Sequence, residues 1–246
     1  DIFEVTAVVP KGSDLVPRIR DCGIPVIETE HGRDASHDRG GIGELCGIMR
    51  RVKPHIVHTH SSLDAKIAAF LCGVKCRIYT RHSVFDPPRK LTTFPGKQIA
   101  GLVNNTLATR IIAVAQAAAD ILTATGVKDE KITVILNGVE PLSASPEAEC
   151  AALREKLGFV PGDFICGISA RMEPYKGHSY LVETAKAVCA LRPEAKFLVM
   201  GTGTSYEETV QLAHEAGLDG KMVFTGFVTG FFSFRPKNLR YTAEYA

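Results

Sequence analysis

No stretch of the 246 residues reaches the roughly 18 uninterrupted apolar positions that a membrane-spanning helix needs. The start shows no basic segment followed by an apolar core, so no signal peptide is expected. No charge of one sign dominates: 29 Lys and Arg stand against 27 Asp and Glu, a net +2. That balance argues for neither a nucleic-acid partner nor an anionic ligand, and no nucleic-acid partner is expected. Cysteine pairs at finger-like spacing are also lacking. Cys72 and Cys76 form one pair without a second, which speaks against a structural zinc. The other cysteines are Cys22, Cys46, Cys150, Cys166 and Cys189. An odd number of thiols, mostly in apolar segments, reads as free cysteines in a reducing compartment, and a cytoplasmic location is expected. There is neither a solenoid period nor low complexity.

What is present is an alternation. Short β-branched runs at 3–10, 24–29, 55–60, 76–82, 110–115 and 131–136 are predicted strands, separated by helical patterns such as 62–72 and 116–125. Near-continuous apolar strands of this kind suit a parallel sheet covered on both faces, built from right-handed βαβ units into a doubly wound sheet. Residues 143–162, rich in Pro and small residues, read as a linker with a lead-in helix. A second run follows: strand 163–169, helix 177–191, strand 196–200, helix 205–216 and strand 222–225. Leu181, Ala185 and Val188 make one apolar stripe on the first of those helices. The expected domains are 1–142, then the linker, then 163–229, with 230–246 as a tail that loses all periodicity. Residue 1 is Asp rather than Met, and the sequence reads as a fragment.

Ligands of open parallel sheets bind beyond the carboxyl ends of the strands, and unusual residues fall there. Arg171 follows a strand, and Lys176 and Gly177 open the next helix, whose free N–H groups favour an anion. Two cations there suit a diphosphate; the alternative is a solvated Arg and Lys on a loop. Gly201 and Gly203 end the next strand, where glycine permits close backbone approach. They do not make G-x-G-x-x-G, because residue 206 is Tyr, and no G-K-[ST] follows. Gly40–Gly43 is weaker, opening a helix with no strand before it. In the first half, His58 and His60 share one strand face, and Arg81 and His82 end the next strand. A third metal ligand at comparable spacing is lacking, so a polar cluster is the better reading. From Lys75 to Lys97 six cations face one acid, Asp86, which suits either a solvated face or contact with a membrane surface or phosphate-bearing acceptor.

"HIVHTHSSLDAK", "YTRHS", "IIAVAQAAADILTATGVKDEKITVILNGVE", "GISARMEPYKGHSYLVETAKAV", "AKFLVMGTG" and "VFTGFV" occur in an order that resembles family 4 glycosyltransferases, over residues 1–229. The resemblance implies the α/β GT-B fold: two Rossmann-like doubly wound parallel-sheet domains, the first lacking its initial strand and the second incomplete. It implies a retaining glycosyltransferase that moves a sugar from a nucleotide-diphosphate sugar to a glycan or lipid-linked acceptor. Cell-envelope or exopolysaccharide synthesis is the implied setting, at the inner face of the membrane, with no cofactor and no metal. By the resemblance, Arg171 and Lys176 hold the diphosphate, helped by Gly177, and Gly201 and Gly203 form the donor-side turn. Gly226, Phe227 and Val228 meet the nucleotide base through their backbone. His82 lies near the donor sugar and phosphate, and Asn137 and Gly138 end the first domain. Two elements of the family pattern are missing, the N-terminal glycine-rich loop and the C-terminal Glu-x7-Glu motif. A catalytically dead fragment that binds nucleotide or a partner, or another GT-B enzyme such as an epimerase, are the alternative expectations.

Overall fold

The computed structural model describes residues 3–30, 39–60, 62–138 and 145–228. The chain divides into two compact units between residues 139 and 140. The tail assigned to 230–246 lies outside the described residues, as do 139–144, where the first expected domain ends and the expected linker begins.

The first unit runs β1 (Ala7–Pro10), α1 (Leu15–Asp21), β2 (Val26–Thr29), α2 (Arg39–Val52), β3 (Ile56–His60), α3 (Leu63–Leu71), β4 (Cys76–Arg81), α4 (Gly96–Leu107), β5 (Arg110–Ala113), α5 (Gln116–Ala124) and β6 (Ile132–Val134). All ladders are parallel, and β3-β4-β5-β6 form one sheet in that order. Among the described residues β1 and β2 form a separate pair, tied to α2 where the Glu30 N–H donates to Glu44 Oε1 at 3.1 Å. The terminal strands are shorter than the apolar runs predict. β1 begins at Ala7 because the ladder opens at Ala7↔Val26, and Phe3 and Val5 stay 66% and 53% exposed.

The apolar pattern explains which faces are buried. Ile111, Ala113, Ala118, Leu122 and Val127 pack with Tyr79 into one core beneath α5, while α2 and α3 close a second around Leu45, Met49, Ala68 and Ala69. Alanines on α3 let the helix approach closely, and Ser62 fixes where it starts by accepting the Ala65 N–H on its Oγ at 3.2 Å. Ser62→Ala is expected to destabilise this unit by about 1 kcal/mol through loss of that cap, read as an earlier urea midpoint with unchanged slope.

The second unit runs α6 (Glu147–Lys156), β7 (Phe164–Ser169), α7 (His178–Leu191), β8 (Ala195–Met200), α8 (Tyr206–Glu215) and β9 (Met222–Gly226). The sheet is parallel in the order β7-β8-β9. Central β8 is buried along its whole length except Lys196, whose Nζ escapes to the Gly220 carbonyl at 2.7 Å. The stripe expected on α7 is present and wider: Val182 and Ala185 are buried, with Leu181 and Val188 packed beside them. The lead-in helix α6 belongs to this unit, since Phe159 just beyond it packs on Leu198 and Met200.

Candidate active site

In the second unit three loops meet at the carboxyl end of the sheet. The first leaves β7 and carries Arg171, Met172 and Glu173 before a short turn at Pro174–Lys176. Gly177, at φ +74°, is the N-cap of α7. That left-handed conformation favours glycine. It leaves α7 without a side-chain cap, so its first N–H groups remain open to an anion. Arg171 and Lys176 are both exposed. Among the described residues neither is in an ion pair, and the Lys176 ammonium stands 5.5 Å from the Tyr175 ring centre. The structure thus places two solvent-facing cations beside an uncapped helix start.

The second loop, Gly201–Ser205, is sewn to the first. The Met172 N–H donates to the Thr202 carbonyl at 3.0 Å, and the Ser205 N–H returns to the Met172 carbonyl at 2.9 Å. Thr204 Oγ1 donates to Glu173 Oε2 at 2.7 Å. Met172 is fully buried and anchors the seam. A Cβ on Gly201 would fall 2.0 Å from the Ala170 carbonyl oxygen, and one on Gly203 would fall 2.4 Å from that of Met172. These glycines are therefore required by loop-on-loop packing, whatever they do for a ligand. The Glu173–Thr204 bridge and the Met172 anchor escaped sequence reasoning, because no local pattern links residues 31 apart.

The third loop follows β9. Gly226, at φ +68°, accepts the Gly201 N–H on its carbonyl at 2.8 Å. That carbonyl is committed, which leaves the backbone of Phe227 and Val228 for a ligand; the Phe227 side chain is 74% exposed. His178, by contrast, is 2% exposed, with both ring nitrogens buried and unbonded. Burial, and then the Lys176 charge, hold it below the usual histidine range, so the ring adds no charge beside Lys176.

In the first unit the β3–β4 register, His60↔Thr80, gathers three histidines. His60 Nδ1 and His82 Nε2 are 2.7 Å apart, and the His58 and His60 ring centres are 4.5 Å apart. His58 Nε2 lies 2.7 Å from Thr80 Oγ1. Desolvation, and then neighbouring imidazoles, lower the pKa of His58 and of His60. The cluster thus favours the neutral forms of His58 and His60, and because His60 Nδ1 occupies Nε2 of His82, Nδ1 is the His82 nitrogen left to face a ligand. Among the described residues no group of three or more His, Cys, Asp or Glu is arranged to hold a metal ion.

Behind this cluster Lys66 is 8% exposed, with its ammonium 4.1 Å from the Tyr79 ring centre. Burial, and then the Arg81 charge, push its pKa down to about 8. An unfolded lysine titrates near 10.4, so between these values the unfolded chain binds the extra proton and stability rises with pH. Urea midpoints are expected to climb from pH 8 towards pH 10. Lys66→Met should flatten that rise and stabilise the unit at pH 7 by on the order of 2 kcal/mol.

Family models fit both halves of the chain. Glycosyltransferase Family 4 matches residues 3–141 and Glycosyl transferases group 1 matches residues 151–231. A curated relative is the GDP-mannose-dependent monoacylated alpha-(1-6)-phosphatidylinositol monomannoside mannosyltransferase of Corynebacterium glutamicum, 37% identical over 68 residues, or 28% of this chain and 17% of the relative. Among solved structures, Anabaena HepE in complex with UDP and glucose aligns with TM-score 0.74 at 21% identity, over 92% of this chain and 62% of that one. A glycosyltransferase from Rickettsia africae aligns with TM-score 0.68 at 20% identity, over 93% and 62%. UDP-GlcNAc 2-epimerase from Neisseria meningitidis aligns with TM-score 0.56 at 10% identity, over 93% and 65%. The chain thus spans less than two thirds of each of these proteins, and the structural likenesses speak for the fold. On the match over residues 3–141 and the α/β parallel-sheet architecture shared with GT-B proteins, the chain belongs to glycosyltransferase family 4.

Proposed function

We propose that this chain carries the donor-binding and acceptor-side parts of a retaining glycosyltransferase. It would transfer a sugar from a nucleoside-diphosphate sugar to a glycan or lipid-linked acceptor, in cell-envelope or exopolysaccharide synthesis on the cytoplasmic side of a membrane. The observation that carries the reading is the pair of exposed cations, Arg171 and Lys176, in no ion pair among the described residues, at the uncapped start of α7. Negative charge grows on a departing nucleoside diphosphate, so cations fixed there stabilise the transition state more than the bound donor. Gly177 and the first N–H groups of α7 add the helix-end contribution. Arg171 and Lys176 take the place of a divalent metal, and turnover is proposed to persist in EDTA. Gly201, Gly203, Gly226, Phe227 and Val228 shape the nucleotide side, and His82 Nδ1 serves the sugar side in the first unit. Among the described residues no helix is long and apolar enough to cross a membrane.

Support for a nucleotide sugar comes from the Anabaena protein, whose structures hold UDP and glucose or UDP-glucose, and from the GDP-mannose dependence in the mannosyltransferase's name. The test is titration of this chain with UDP and with GDP by calorimetry, with Arg171→Ala and Lys176→Ala alongside. Binding of one nucleotide that both variants weaken at least about tenfold, the order of one charge-assisted contact, supports the reading. Equal binding by wild type and both variants would sink it. The likeness to the Neisseria epimerase favours a second reading, conversion of a nucleotide sugar without an acceptor. Product analysis separates the two, since only transfer releases free nucleoside diphosphate in step with a glycosylated acceptor.

A further inference from the structure

We propose that α4 and the turn before it form a docking face for an anionic lipid bilayer. The transferase reading enters only through the setting, because a lipid-linked acceptor would be met at such a surface. The physical case rests on the first unit alone.

A surface helix ordinarily turns its apolar stripe inward, and α4 does the reverse. Apart from Leu107 at its end, which is buried, its inward side is small or polar. Gly101 lies so close to Gly126 that a Cβ would meet the Gly126 carbonyl oxygen at 2.3 Å, and Asn105 Nδ2 donates to that same carbonyl at 3.0 Å. At the far end Arg77 clamps the helix, donating from Nε to the Leu107 carbonyl at 2.9 Å and from Nη2 to that of Thr106 at 3.0 Å. The outward side then carries Ile99, Leu102 and Val103, which are 60%, 69% and 40% exposed. Spaced i, i+3 and i+4, they form one stripe. Phe94, in the turn just before α4, is 81% exposed.

Along the sequence that carries this stripe the charge has one sign. Between Asp86 and Asp120 the sequence has no acid, while Arg89, Lys90, Lys97 and Arg110 are cationic. Arg89 and Lys90 are exposed and held beside Phe94 by the backbone. Thr93 Oγ1 donates to the Arg89 carbonyl at 3.0 Å, the Lys97 N–H donates to the Thr93 carbonyl at 2.8 Å, and Gly96 packs on the Lys90 carbonyl so tightly that no Cβ fits. Asp129 and Glu130 come near α4 only on its inward side, where the Lys128 N–H donates to Asn105 Oδ1 at 3.1 Å. An exposed apolar stripe on a segment with cations and no acids of its own is the pattern that settles into the headgroup layer of anionic membranes. A second copy of this chain is a poorer occupant, because a two-fold contact would bring these cations face to face. Arg77 and Arg81 of the 75–97 stretch do not count towards this surface, because both are half-buried and spend guanidinium N–H groups on backbone carbonyls.

The experiment is co-sedimentation of the full chain with vesicles of equimolar phosphatidylglycerol and phosphatidylcholine, and with phosphatidylcholine alone. Wild type is expected to partition onto the anionic vesicles and to be released by added salt. Leu102→Asp should weaken partitioning at least about tenfold, and Arg89→Ala and Lys90→Ala about fivefold each. Because Leu102 faces solvent, Leu102→Asp should keep its melting midpoint; Leu102→Ser serves if it does not. Equal binding to both vesicle types, no binding to either, or unchanged partitioning of the Leu102 variants overturns the proposal. So does a dimer in solution that Leu102→Asp dissociates, which would assign the face to a second copy. No sugar donor enters the assay, so failure here leaves the donor-site reading standing. Conversely, loss of nucleotide binding would leave this result untouched.

Discussion

Lys176→Ala in the intact enzyme is expected to cut turnover by about 3–4 kcal/mol of barrier, or roughly two to three orders of magnitude, by analogy with the removal of one preorganised donor from a developing anion. The reasoning is differential. In the ground state the diphosphate shares its charge with the sugar ester linkage and with water. In the transition state an extra charge accumulates on the leaving oxygen, and a fixed ammonium at the helix start meets it without reorganising. Arg171 alone cannot replace it, because the two cations reach the loop from opposite ends of the Pro174–Lys176 turn. Lys176 is exposed and in no ion pair among the described residues, so the melting midpoint should not move. Steady-state release of nucleoside diphosphate, measured beside a thermal melt, checks both halves. Near-wild-type turnover with an intact fold would remove the diphosphate assignment.

Gly201→Ala is expected to destabilise the second unit by about 4 kcal/mol, combining backbone strain with overpacking. Gly201 sits at φ +136°, and its Cβ would lie 2.0 Å from the Ala170 carbonyl oxygen. Backbone cannot rotate away as a flexible side chain would, so either the strand end or the Arg171 loop must shift. Gly177 is the contrasting control. Its φ is +74°, but a Cβ there would meet Tyr180 at 3.6 Å, an ordinary contact. Gly177→Ala should therefore cost only the positive-φ penalty, about 1 kcal/mol. Denaturant unfolding of both variants ranks them; a Gly177 cost equal to that of Gly201 would refute the packing explanation.

Much of the chain organisation was legible because burial on both faces writes itself into a strand. β8 is buried except at Lys196 and reads as an apolar run from either direction. Helix α4 was harder to see. Gly96, Gly101 and two adjacent asparagines lower its intrinsic preference, and Ile99, Leu102 and Val103 face outward, so its stripe marks no core. Cations 171 and 176 were legible because a loop between an apolar strand and a helix start is where such side chains are unexpected. Among the histidines, the pairing of 58 and 60 on one face followed from the two-residue period. The contact of 60 with 82 needed the β3–β4 register, which no local pattern specifies.

By itself the sequence determined the order of strands and helices, the break between the two halves and the position of the conspicuous glycines and cations. Each of these is a local property, set by side-chain period, backbone freedom or charge within a few residues. Only the tertiary structure decided what those residues do to one another. Gly201 and Gly203 face carbonyls of a loop 31 residues back in the chain, Glu173 reaches Thr204, and Lys66 is buried over Tyr79. Contacts of this kind depend on which strands become neighbours, and that choice is made by the burial of whole faces rather than by any segment alone.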